Sequence, residues 1–175
     1  IICEEKNIKK IISSHGIYLA DYVVGGADYH HIEQHLLPIQ YRQYSEEYWN
    51  SRVLAPSSLL YYIGLDTTLD NLEHHNLFFD ADFNKHSEEI YKNPAWPSDP
   101  LFYVSVTSKT DNTVAPFGCE NIFILIPTAT DMPESKSIQE HYFTIVMNRL
   151  EKHVGKNIRE HIIFRRDYAH SNFVA

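Results

Sequence analysis

The chain has 175 residues, 43% of them hydrophobic and 22% charged, and its 23 acids against 15 bases give a formal net charge of −8. That length holds one domain with a real core, or barely two, and the acidic balance excludes a nucleic-acid binder, which needs basic surface to displace counterions. Only two cysteines occur, Cys3 and Cys119, so a disulfide framework is excluded, and no apolar run approaches the roughly 20 residues of a membrane-spanning helix.

In chain order, Asn7 to Ile12 and Ile17 to Val24 read as strands joined by the turn residues Ser13-Ser14-His15-Gly16, a β-hairpin. Gly25-Gly26 ends the second strand. Asp28 then caps a short helix to about Leu37, stopped by Pro38. Tyr41 to Trp49 is a polar, aromatic helix or connector. Ser57 to Gly64 and Asn76 to Phe79 are strands, and Asp82 opens a helix through Tyr91. Three prolines, Pro94, Pro97 and Pro100, make Lys92 to Pro100 a loop.

Leu101 to Thr107 and Asn121 to Pro127 are further strands, with a hairpin-like connection between them. Ile138, Tyr142, Ile145, Val146, Leu150 and Val154 recur at helical spacing, so Ser137 to Val154 is a helix, ended by Gly155. His161 to Arg166 is the last strand. The whole predicts an α+β fold with a mainly antiparallel sheet and helices on one face. The chain opens on Ile1-Ile2-Cys3 without Met and closes on Asn172 to Ala175 without a polar tail, which reads as the interior of a larger polypeptide.

Few residues carry self-contained chemistry. His31 and His35 share a helical face, but Glu33 does not complete an HExxH motif, and His74-His75 flank a strand; no metal site is expected. Gly25-Gly26 lies between a strand and a helix without the GxGxxG of a dinucleotide fold. Asp99, Asp111 and Asp131 read as turn and cap residues. With 12 Tyr, 9 Phe and 2 Trp, the chain suits large apolar surfaces that also meet water. Any membrane contact must come from that aromatic surface, since no polybasic stretch is present.

Several blocks in order resemble the phytoene desaturase (phytoene dehydrogenase) family. Ala20-Asp21-Tyr22-Val23-Val24-Gly25-Gly26-Ala27-Asp28 is similar to its ADxVVxNAD segment, and Leu36-Leu37-Pro38 follows. Ser57 to Asp66 resembles its SxxxxYxGLD strand, and Leu72 to Phe79 its LxHHxxxF stretch. Pro100 to Tyr103, Ser108 to Asp111 and Ala115 to Asn121 complete the series. Gly26 departs from the pattern, standing where relatives carry Asn, which removes a side-chain amide.

The resemblance implies an FAD-dependent oxidoreductase that desaturates phytoene or a related carotenoid precursor, by hydride loss to the flavin and proton loss from the neighbouring carbon. It implies residues 1–40 at the edge of a flavin domain and residues 41–175 as the substrate-binding domain of an amine oxidase-like fold. Gly26 and Ala27 would touch FAD, whose main binding motifs would lie outside this chain, leaving residues 1–175 inactive alone. Tyr62, Phe79, Tyr103 and Phe123 would line an apolar wall for the polyene. The expected setting is cytoplasmic, with peripheral membrane contact. The alternatives are a carotenoid isomerase or saturase of the same superfamily, or a non-catalytic isoprenoid-binding or lipid-binding module.

Overall fold

A computed structural model describes residues 1–5, 7–52 and 56–174. Ala175, part of the expectation about the chain's ends, lies outside them. The chain forms two compact units, Ile1–Val53 and Leu54–Ala175.

The first unit opens with a small antiparallel sheet in the order β1 (Ile2–Glu4), β2 (Asn7–Ser13), β3 (Gly16–Tyr18). The expected hairpin is there, with Ile11 opposite Tyr18 and Ile12 opposite Ile17. Its second strand stops at Tyr18 rather than Val24. The alternation of residues 17–24 is strand-like, but beyond Tyr18 no ladder partner exists among the described residues. Leu19, Tyr22 and Val24 are accordingly exposed. Helix α1 (Tyr29–His31) starts where expected, with Asp28 Oδ1 accepting the His31 N–H at 2.9 Å. It continues as a π-helical turn over Ile32–Leu36. Glu33 on that turn is buried and accepts hydrogen bonds from the Gln43 N–H at 2.6 Å and the Trp49 indole at 2.8 Å. This joins the helix to the connector that ends in α2 (Glu46–Asn50). Burial alone would push the Glu33 carboxyl up, but these hydrogen bonds outweigh it and hold the group below the usual carboxylate range.

The second unit is a five-stranded antiparallel sheet in the order β5 (His75–Phe78), β6 (Phe102–Ser105), β7 (Glu120–Thr128), β4 (Ser57–Leu65), β8 (Ile162–Tyr168). The two longest strands sit at its centre, paired from Ser57 opposite Thr128 to Leu65 opposite Glu120. Because side chains alternate along a strand, one face presents Leu59, Tyr61, Ile63, Val104, Ile122, Ile124 and Ile126, all buried. Helix α4 (Lys136–Val154) covers it with Tyr142, Phe143, Val146, Met147 and Leu150. The Ser135 hydroxyl accepts the Ile138 N–H at its start, and Gly155, at φ 70°, closes its end in the left-handed conformation that glycine adopts without strain.

Polar anchors fix that layer. The Tyr61 hydroxyl donates to the Gln139 carbonyl at 2.7 Å and the Tyr142 hydroxyl to the Pro97 carbonyl at 2.6 Å, so the proline loop is tied to the helix. Burial pushes the Tyr142 hydroxyl up to about 12. Helix α3 (Phe83–Tyr91) is capped by Asp82 as expected. It is tied down by buried His86, whose Nε2 bonds the Pro127 carbonyl and whose Nδ1 accepts the Leu101 N–H, each at 3.0 Å. The α+β class, the antiparallel sheet and the long helix on one face therefore match the sequence reading. A short helix α5 (Ser171–Val174) follows β8.

Candidate functional site

The same alternation that buries Tyr61 turns Tyr62 to the opposite face of the sheet. There Tyr62 stands across from Phe123 on β7, their ring centroids 5.2 Å apart, and Tyr168 on β8 meets Tyr62 edge-on at 5.8 Å. Tyr103 on β6 approaches Phe123 at 6.3 Å, and Leu77 on β5 lies opposite Tyr103. This second face remains open: Leu77, Phe164 and Tyr62 are 64%, 55% and 40% exposed.

The face is not flat. Gly64 lacks a side chain where Tyr62 and Phe164 flank it, and a register shift between β4 and β8 falls at Gly64 and Leu65. The result is an open hollow of about 550 Å³, lined by Tyr62, Gly64, Tyr103, Phe123 and Phe164. A methyl group added at Gly64 would lie 3.3 Å from Phe164 Cβ, a tight contact, and would take space from the hollow that Gly64 lines. Ser105, Thr107 and Asn121 make one rim polar. Asn121 is locked there, its Oδ1 accepting from the Thr107 hydroxyl at 2.7 Å and its amide donating to the Val114 carbonyl at 3.2 Å. The rest offers hydrocarbon and aromatic surface, which suits a long apolar ligand rather than a charged one.

Three of the four wall residues read from the sequence, Tyr62, Tyr103 and Phe123, thus meet at one hollow. Phe79 lies apart, beyond the end of β5, against Phe83 at 6.2 Å and over a smaller cavity of about 230 Å³ with His86 and Tyr91. Gly64 and Phe164 were not singled out. Counting by twos along β4 and β8 from the aromatic positions would have found both.

One polar pair stands on this open face. His75 Nδ1 is 2.5 Å from the Tyr103 hydroxyl, and the two rings lie nearly parallel at 5.9 Å. His74 stacks on His75 at 4.1 Å and its Nδ1 meets the Thr110 hydroxyl at 2.6 Å.

Gly26 and Ala27 lie in the first unit, in the exposed segment before Asp28. A Cβ built on Gly26 meets nothing within 4 Å, whereas one on Gly25 would strike Ile32 Cδ1 at 2.5 Å. A side chain at Gly25 would make the end of the Ile32 side chain shift, and the segment at Gly26 and Ala27 is exposed. His35 meets His30 edge-on at 6.1 Å between ring centroids and His31 at 5.1 Å with the rings tilted by 43°. Among the described residues no group of three or more His, Cys, Asp or Glu side chains could hold a metal ion. Nor is any helix among them long and apolar enough to cross a membrane. Cys3 and Cys119 are both free.

No protein-family model matches the chain. Among curated proteins, the carotenoid 3,4-desaturase of Haloarcula japonica is 39% identical over 153 residues, covering 87% of this chain and 31% of that protein. The phytoene desaturase of Cercospora nicotianae is 32% identical over 130 residues, 74% of this chain and 21% of its own. The 4,4'-diaponeurosporene oxygenase of Staphylococcus aureus is 33% identical over 112 residues, 63% of this chain and 22% of its own. The chain spans less than a third of the length of each of these relatives.

Proposed function

Since this chain belongs to the phytoene desaturase-like family, we propose that the protein containing it desaturates a carotenoid or carotenoid precursor with FAD, and that the open face of the five-stranded sheet is the wall against which the polyene lies. The observation that carries this reading is the hollow formed by Tyr62, Gly64, Tyr103, Phe123 and Phe164 on a sheet whose other face is already filled by α4. An uncovered aromatic face of this kind gains free energy by burying hydrocarbon, about 25 cal/mol for each Å² removed from water.

Within that reading, residues 41–175 are the substrate-binding domain of an amine oxidase-like fold and residues 1–40 border the flavin domain. Gly26 and Ala27, both exposed, would contribute to holding the flavin. When bound, FAD would serve as the two-electron oxidant for hydride removal from the polyene. The chain's own residues orient the polyene and exclude water: Tyr62 and Phe123 grip it from the two central strands, and Phe164 closes the side beyond Gly64. A protein handling such a substrate meets the membrane that dissolves it, from the cytoplasmic side, through exposed apolar residues such as Phe79 and Phe83.

The test is anaerobic mixing of the full-length protein with carotenoids in liposomes while following flavin absorbance. Bleaching, with a product that has gained a double bond, is the expected result. An unchanged spectrum with polyene bound would contradict desaturation and favour a saturase, an isomerase or a non-catalytic isoprenoid binder. A second reading, oxygenation, is favoured by the similarity to the Staphylococcus aureus oxygenase. Incorporation of labelled oxygen from O₂ into the product would distinguish it.

A further inference from the structure

We infer that Tyr103 and His75 form a proton relay on the wall of the hollow, in which Tyr103 takes the proton a polyene loses and His75 passes it to solvent; this rests on the desaturation reading above.

Desaturation removes two hydrogens unequally. One C–H bond breaks with its electron pair leaving as hydride to FAD, which is reduced by two electrons. The C–H bond on the adjacent carbon breaks with its pair staying behind to form the new double bond, and the proton must go to an acceptor. A polyene carries no basic atom, and the hollow is lined by hydrocarbon, aromatic rings and neutral polar groups. Its titratable side chains are Tyr62 and Tyr103. Among the described residues, Tyr103 alone of these two has an imidazole at its hydroxyl, with His75 Nδ1 at 2.5 Å.

The sheet builds this pair. His75 lies opposite Ser105 in the β5–β6 ladder, one diagonal step from Tyr103 on the same face. Stacking of His74 on its ring, with the His74–Thr110 bond behind it, holds the imidazole against the tyrosine. When Tyr103 donates its hydroxyl proton to Nδ1, the imidazole carries its own proton on Nε2. As the substrate proton arrives at Tyr103 Oη, the hydroxyl proton moves to Nδ1. The resulting imidazolium releases the Nε2 proton to water, because His75 is solvent-exposed. Tyr103 is thus the catalytic residue and His75 acts through it.

The test uses the full-length protein. Tyr103→Phe should slow anaerobic flavin bleaching by about a hundredfold, as loss of acid–base catalysis does, while the flavin-free protein keeps its polyene affinity within about twofold. His75→Ala should be slowed about tenfold and regain rate when imidazole is added to the buffer. Independent of turnover, nitrogen NMR of the flavin-free protein should show the His75 Nδ1 resonance move on Tyr103→Phe. Bleaching by Tyr103→Phe at the parent rate overturns the relay, as does an unmoved Nδ1 resonance. So does an equal loss of affinity and rate, which would make Tyr103 a wall residue only. Should Tyr103→Phe fail to fold, the imidazole rescue decides, and its absence overturns the relay. A parent protein that binds polyene without bleaching overturns the desaturation reading itself, and the relay with it. Parent bleaching with indifferent variants overturns the relay alone.

Discussion

Tyr62 on β4 and Phe123 on β7 are register partners at the centre of the sheet, their rings 5.2 Å apart and tilted by 54°. Their chain neighbours Tyr61, Ile122 and Ile124 point the other way and are buried under α4. One residue of alternation therefore separates the fold's core from its proposed ligand surface.

A charge placed in this pair should remove the ligand and leave the fold. Tyr62→Asp is expected to weaken carotenoid binding by the full-length protein at least about tenfold, because a carboxylate must be desolvated against hydrocarbon. Circular dichroism should be unchanged, since Tyr62 is 40% exposed. Equilibrium binding to carotenoid in detergent micelles reads the effect, and parent-like affinity would count against the site.

Gly64 tests the shape of the hollow rather than its polarity. Gly64→Val should fill the gap beside Phe164, whose Cβ would lie 3.3 Å from the new Cβ. A stability cost of about 1–2 kcal/mol is expected from crowding, with a fall in carotenoid affinity larger than Phe164→Leu produces. Thermal melts and binding isotherms of both variants check the order.

The helix α4 layer was legible in the sequence because its apolar positions repeat at helical spacing. The Asp82 and Asp28 caps and the central strands were legible from short-range chemistry in the same way. Strand β1 was missed for a physical reason: its three residues are a strand only by pairing with β2, and the turn between them contains Glu5 at φ 49° rather than a glycine. The false extension of β3 to Val24 is the converse error, a sequence with strand alternation and no partner to bond. Phe79 was grouped with the wall as the last residue of the expected Asn76–Phe79 strand, yet the ladder ends at Phe78. Which faces are open is a tertiary fact that alternation alone could not decide.

The core should respond as close-packed cores do. Leu150 on α4 is fully buried against the sheet, so Leu150→Ala is expected to cost about 2–5 kcal/mol. Urea unfolding of the full-length protein, followed by a probe in this unit, would show the shift. A loss below about 1 kcal/mol would mean that α4 does not cover the sheet as described.

Acid should loosen the contact between α4 and β8. Arg165 donates to both oxygens of Asp167, at 2.7 and 2.8 Å, and Lys136 Nζ lies 2.6 Å from Oδ2. Burial pushes the Asp167 carboxyl up, but the hydrogen bonds from Arg165 and Lys136 outweigh it and hold it below the usual carboxylate range. Glu140 is lowered as well, chiefly by its hydrogen bond to Arg165. Both groups titrate lower in the folded state, so their stabilisation is complete above the unfolded carboxylate value, about 4. It is lost as pH falls through the lower folded-state values. Melting temperature should drop below about pH 4, and Asp167→Asn should be less stable at neutral pH by about 2 kcal/mol with a flatter acid limb. Superimposable acid limbs for the two proteins would exclude this network as the cause.

The most direct test of the central claim is ¹⁹F NMR of the full-length protein with a fluorinated tyrosine at position 62, recorded in micelles with and without carotenoid. A polyene lying on the open face must change the surroundings of Tyr62, so the account predicts a shifted or exchange-broadened resonance that saturates with carotenoid. An unmoved resonance, with carotenoid binding confirmed by its absorbance, would place the ligand elsewhere and contradict the account.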